Sequence, residues 1–150
     1  MITVEQIKEL RERTNVSIAI CKKALEEADG NMEEAIKVLK VEGAKIADKK
    51  SDRELKAGMI SSYIHATKQV GVLLEVRTET DFVAKNEDFQ KIVYDIAMHI
   101  AASNPTNIDD LFQQQYIKNP ELTVGELIKQ SIQKFGENME ISNFTRYSIS

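Results

Sequence analysis

A chain of 150 residues can close one modest core, or a small helical module beside a compact second domain, which excludes two large domains. With 42% apolar and 29% charged residues it falls in the ordinary globular class, away from disordered and membrane chains. The net charge of -4, from 24 acidic and 20 basic residues that are mostly interspersed, argues against nucleic acid or an anionic membrane as the main partner and favours a protein.

The start, Met1-Ile2-Thr3-Val4-Glu5, lacks a basic region followed by an apolar signal core, and no apolar run approaches the roughly 20 residues of a membrane span. A cytoplasmic place is expected. Thr3 and Gln6 have capping-box spacing ahead of Val4, Ile7 and Leu10, which predicts a helix ending near Thr14-Asn15. Ser17 caps a second helix with a stripe of Ile18, Cys21, Leu25 and Ala28, closed at Asp29-Gly30. Cys21, the single cysteine, excludes an intrachain disulfide, fits a reducing compartment and is expected to be buried as a small apolar residue. Asn31, with Glu34 at the reciprocal position, opens a third helix with Ala35, Ile36 and Leu39 inside and Gly43 as its stop. Helices this short need one another, so residues 1–44 are expected to form a three-helix docking module.

Residues 45–57 carry Lys45, Lys49, Lys50, Arg53 and Lys56 with few large apolar groups. They are expected to form a charged linker or frayed helix; a nucleic-acid patch would need interleaved aromatics.

From residue 58 the period becomes that of strands. Ile60, Ser62 and Ile64 alternate with Met59, Ser61, Tyr63 and His65, Ala66 to Gln69 can turn, and Val70 to Arg77 returns with Val72, Leu74 and Val76 on one face. A long helix opened by Asn86 carries Phe89, Ile92, Val93, Ile96, Ala97 and Ile100 up to Ser103-Asn104-Pro105. Two shorter helices are predicted over Asp109 to Tyr116 and Thr123 to Phe135, and Met139 to Ile149 alternates again, as a strand that can join the hairpin. Residues 58–150 thus read as an α+β domain, a small antiparallel sheet packed with helices.

Enzymatic signals are missing from this pattern. Neither G-x-G-x-x-G nor G-x-x-x-x-G-K occurs, and His65 and His99 have no metal-ligand partner at suitable spacing, so no cofactor or metal is expected. Asp81 with Glu79, or Cys21 with a histidine, makes a catalytic set only inside an enclosing pocket. Phe82, between the second strand and the long helix, either plugs the domain's own core or is presented outward.

The string Thr80-Asp81-Phe82-Val83-Ala84-Lys85 resembles the elongation factor Ts family. So do Val70-Gly71-Val72-Leu73-Leu74-Glu75-Val76, Ile96-Ala97-Met98-His99-Ile100-Ala101-Ala102, Leu122-Thr123-Val124 and Lys134-Phe135-Gly136-Glu137-Asn138. Leu10-Arg11-Glu12-Arg13-Thr14 and Cys21-Lys22-Lys23-Ala24-Leu25 resemble its amino-terminal domain, whose three helices are similar to the ubiquitin-associated fold. The resemblance implies a guanine nucleotide exchange factor that binds elongation factor Tu, a GTPase, and promotes GDP release without covalent chemistry. It implies that Thr80, Asp81, Phe82 and Val83 form a tip entering beside the nucleotide and magnesium site, with the Phe82 ring as a wedge. It also gives His65, Arg11, Ile18 and Ala19 contacts with that partner.

Two departures from the family bear on this reading. The usual Gly-Ala-Gly-Met-Met is Asn15-Val16-Ser17-Ile18-Ala19 here, and Ala19 buries far less area than methionine, at about 25 cal/mol per Å². Long members carry two core copies whereas this chain has one hairpin, so a homodimer is expected to supply the second core in trans, with no disulfide because the closing strand has Thr145 and no cysteine. Other readings are a ubiquitin-associated adaptor, a reduced and weakly active variant, and a small enzyme that needs Asp81 and His65 in one cleft.

Overall fold

The computed structural model describes residues 1–149. It divides into two compact units, residues 1–51 with 129–136, and residues 52–128 with 137–149.

In the first unit, α1 (Val4–Thr14) begins with the expected capping box. The Gln6 N–H donates to Thr3 Oγ1 at 3.2 Å and the Thr3 N–H to Gln6 Oε1 at 2.9 Å, satisfying two amides that have no partner inside the helix. Asn15, in the left-handed region at φ 59°, ends α1. Ser17 caps α2 (Ile18–Glu27) through the Ile20 N–H, and Asn31 caps α3 (Met32–Lys50) through the Glu34 N–H. The three stripes meet in a core of Leu10, Cys21, Leu25, Ala35 and Leu39, closed by Val16. Burial of Cys21 raises its thiol pKa, so it packs rather than reacts.

Gly43 does not stop the third helix. The glycine is buried inside α3, and a Cβ there would come within 3.2 Å of Gln133 Oε1 and 3.9 Å of the Lys129 carbonyl. Its missing side chain therefore permits close packing, a benefit set against the roughly 1 kcal/mol that glycine costs a helix interior. Lys45, Lys49 and Lys50 consequently lie on helix, and Lys50 Nζ donates to the Gly136 carbonyl at 2.9 Å.

The second unit is built on a three-stranded antiparallel sheet of order β1-β2-β3. β1 (Ala57–Ile64) and β2 (Val70–Thr78) form the predicted hairpin, with Lys68 at φ 65° in its turn, and β3 (Met139–Ser148) pairs with β2. Between β2 and β3 run α4 (Asp81–Ala84), α5 (Glu87–Ser103), α6 (Ile108–Gln113) and α7 (Val124–Phe135), the last of which belongs to the first unit from residue 129 on. Together these elements make the expected α+β architecture.

Strand alternation divides the sheet into two faces. Val72, Leu74, Val76 and Thr78 of β2 point inward to α5, together with Ser61 of β1 and Met139 and Ile141 of β3. Leu74, Ile96, Ile100 and Leu111 have no exposed surface. The opposite face leaves Ile60, Ile64, Leu73 and Tyr147 exposed. Gly71 fits this face because a Cβ would meet Ile64 Cδ1 at 2.9 Å. Among the described residues, no helix is long and apolar enough to cross a membrane.

Candidate functional site

At the end of β2 the backbone leaves the sheet at Thr80, still extended at φ -132° and ψ 158°, and turns once as α4. The Lys85 N–H donates to the Asp81 carbonyl at 2.9 Å and the Asn86 N–H to that of Val83 at 3.0 Å. Asn86 then restarts the chain as α5, its Oδ1 accepting the Asp88 and Phe89 N–H groups at 2.8 and 3.1 Å. Asn86 capping a new helix so soon after the strand ends explains why the strand pattern breaks so abruptly here.

Within this single turn the side chains separate. Val83 and Ala84 are each 4% exposed, whereas the Phe82 ring is 85% exposed. Phe82 therefore does not plug the domain's core. Val83, expected on the partner surface beside it, faces inward instead, because one helical turn spreads consecutive side chains around its axis. Asp81, Phe82, Lys85 and Asn86 line an open concavity at the tip.

The base of the tip is held by Glu137, Asn138 and Arg53, to which sequence reasoning gave no role at the tip. Just beyond the last pair, Thr78↔Met139, Glu79 and Thr80 are joined to Asn138 and Glu137 through the carboxylates of Glu79 and Glu137. Thr80 donates its N–H to Glu137 Oε1 at 3.0 Å and its hydroxyl to Oε2 at 2.6 Å. In return the Asn138 N–H donates to Glu79 Oε2 at 2.5 Å, and Arg53 Nη1 lies 3.6 Å from that oxygen. Thr78 Oγ1 donates to the Thr80 carbonyl at 2.9 Å, and Asn138 Nδ2 to that of Arg53 at 3.1 Å. The available signal was the register itself: two Glu-polar pairs at the matching ends of antiparallel strands.

His65 stands at the other end of the hairpin, where its N–H donates to the Val70 carbonyl at 2.9 Å and its Nδ1 lies 3.0 Å from the Tyr63 hydroxyl. A strand of eight residues separates it from the tip, ~26 Å at the usual rise. Asp81 and His65 thus do not share a cleft, which removes the small-enzyme reading. Arg11, Ile18 and Ala19 belong to the first unit, all exposed, with Ile18 at 56% in the opening turn of α2.

His99 is fully buried and its ring pins α5 to the chain after α6. The Ile117 N–H donates to Nδ1 at 3.2 Å, which places the ring proton on Nε2, facing Gln114 Oε1 at 2.9 Å. Burial lowers its pKa below the usual value, against the smaller opposing effect of the Gln114 bond. The unfolded chain thus takes the proton more readily, so this contribution to stability is complete above about pH 6.5 and is lost as the pH falls below it. Urea unfolding between pH 7.5 and 5.5 should show a declining midpoint in the parent protein and a flatter profile in His99→Asn.

A rooted turn that shows an aromatic ring to solvent is the geometry of a protein-binding factor. A family model described as "Elongation factor TS" matches residues 79–150. Over 193 aligned positions the chain is 38% identical to elongation factor Ts of Alkaliphilus oremlandii, covering 99% of this chain and 89% of that one. It is 34% identical to that of Herpetosiphon aurantiacus, covering 99% and 98%, and 43% identical to that of Trichlorobacter lovleyi, covering 98% of this chain and 47% of the relative. The chain belongs to the elongation factor Ts family and is a nucleotide exchange factor for elongation factor Tu. An alignment of 193 positions exceeds the 150 residues of the chain, so the first relative carries internal residues that this one lacks.

Proposed function

We propose that the chain drives GDP release by inserting the tip, with Phe82 as the wedge and Asp81 as the group that disturbs the magnesium and nucleotide site of elongation factor Tu. The observation that carries this is the 85% exposure of Phe82 on a turn whose neighbours Val83 and Ala84 are buried. A large apolar ring gains little by facing water, and a rigid aromatic on a rooted turn has the character of an interface hot spot. Val83 acts as the root and Thr80 as the hinge post. His65 and the first unit's Arg11, Ile18 and Ala19 supply further contacts that fix orientation, in the cytoplasm where the translation machinery works.

Exchange follows from linkage. If the tip fits only the nucleotide-poor conformation, the factor by which this chain weakens GDP equals the factor by which GDP weakens this chain. Titrating the chain into elongation factor Tu should therefore give tight binding to the nucleotide-free form and much weaker binding in excess GDP. Equal affinity for both forms would overturn the wedge reading.

The second core is supplied by a second copy. Support comes from the outer sheet face, where Ile60, Ile64, Leu73 and Tyr147 are 66%, 58%, 55% and 76% exposed around one hairpin end. Apolar side chains of this size clustered on one face mark an interaction surface, and a twofold pairing of two such faces is the simplest way to cover it. Sedimentation of the parent protein should give a dimer and Leu73→Glu a monomer. A parent that is strictly monomeric at working concentration would sink this part of the reading.

A further inference from the structure

The tip cannot hold its own shape. α4 is only four residues long, far below the length at which an isolated helix forms in water, and Thr80 at its N-cap makes no side-chain capping bond to it. A threonine in that position normally accepts from an amide of the first turn. Here its hydroxyl is turned the other way, donating 2.6 Å to Glu137 Oε2. The capping chemistry has been redirected from the helix to a carboxylate 57 positions along the chain.

We propose that Glu137 is a positioning residue for exchange, acting through Thr80 to hold the Asp81-Phe82 turn in its binding pose before the partner arrives. This inference rests on the wedge reading of Phe82. Two features give the contact that role rather than simple fold support. Glu137 takes both the N–H and the hydroxyl of Thr80, so it fixes the peptide entering α4 in rotation as well as in position. The Glu79 carboxylate in turn accepts from the Asn138 N–H, making a crossed clasp between Glu79-Thr80 and Glu137-Asn138. The sheet itself does not depend on this clasp, because the β2–β3 pairing, with one register shift between Glu75 and Val76, already runs up to Thr78↔Met139. The turn bearing Phe82 follows directly beyond it.

Preorganisation of this kind lowers the ordering cost on binding and keeps the ring where the distorted partner presents its pocket. A chain without the clasp still meets elongation factor Tu through its other contacts, but the turn must be ordered during the exchange step. Loss of the clasp should therefore lower the maximal rate of GDP release more than it raises the concentration needed for half-saturation.

The test measures release of labelled GDP against concentration of the full chain for the parent, Glu137→Ala, Glu137→Gln and Thr80→Val. The maximal rate of Glu137→Ala should fall at least about tenfold, the equivalent of one charge-assisted hydrogen bond. Half-saturation should shift far less. Glu137→Gln, which keeps an oxygen for the Thr80 N–H and a group to pair with its hydroxyl, should recover most of the rate. Adding Thr80→Val to Glu137→Ala should cost little more, because the two remove the same contact. Thr80→Val alone deletes only an exposed hydroxyl, so its slower maximal rate should appear even if Glu137→Ala folds poorly. An unchanged maximal rate in both single variants, with an active parent, would overturn the positioning role while leaving the wedge intact. A rate loss in Glu137→Gln as deep as in Glu137→Ala would also overturn it. An inactive parent would instead remove the wedge reading on which this inference stands.

Discussion

Phe82→Ala should leave the protein folded and nearly abolish its stimulation of GDP release. The ring is 85% exposed, so deleting it removes little buried area within the chain and should change the unfolding midpoint only slightly. On the wedge reading the same ring becomes buried in elongation factor Tu, and loss of an aromatic hot spot costs about 2 kcal/mol or more, a rate loss on the order of 30-fold. The contrast between stability and activity is the informative part. A core residue would show the reverse, with a lower midpoint and activity that follows the folded fraction. Circular dichroism during urea unfolding, run beside labelled-GDP release, measures both sides of this prediction.

Leu74→Ala should give that reverse. Leu74 has no exposed surface and lies at the centre of the sheet, opposite Ser61 on β1 and Phe144 on β3. Truncation removes its buried methyl groups and leaves a cavity that two paired strands cannot collapse, at a cost of about 2–5 kcal/mol. The midpoint of urea unfolding should fall while its slope stays constant, since the surface exposed on unfolding hardly changes. Because β2 leads directly into the tip, a destabilised sheet should also lower exchange, but only in proportion to the unfolded fraction. This distinguishes the variant from Phe82→Ala.

Local signals were sufficient for most of the fold. Thr3, Ser17, Asn31 and Asn86 each cap the helix that their spacing predicts, because a capping side chain acts within three residues of itself. The hairpin was legible for the same reason: alternation and a polar turn are local patterns, and the inward set Val72, Leu74 and Val76 followed from period two. Gly43 was misleading because its role is set by a residue 90 positions away, Gln133, whose side chain needs the space. For β1 the alternation was visible but not which side faced the helices; Ile60 and Ile64, the branched aliphatic groups, face solvent while Met59, Ser61 and Tyr63 turn inward.

The candidate site was legible in its residues and not in its geometry. Asp81 and Phe82 were apparent from the string that carries them, yet whether the ring faced the core or the solvent depended on how Val83 and Ala84 packed. Val83 was placed with its neighbours on the partner surface, although a single helical turn had to send it elsewhere. The clasp of Glu79, Thr80, Glu137 and Asn138 joins residues 57 to 59 positions apart, and no local pattern couples positions at that distance. The pairing of β2 with β3 supplies that coupling.

Release of labelled GDP from elongation factor Tu, followed with and without saturating amounts of this chain, tests the account most directly. The wedge at Phe82 predicts a large acceleration by the parent protein and almost none by Phe82→Ala at the same occupancy. No acceleration by the parent, or equal acceleration by both, would contradict it.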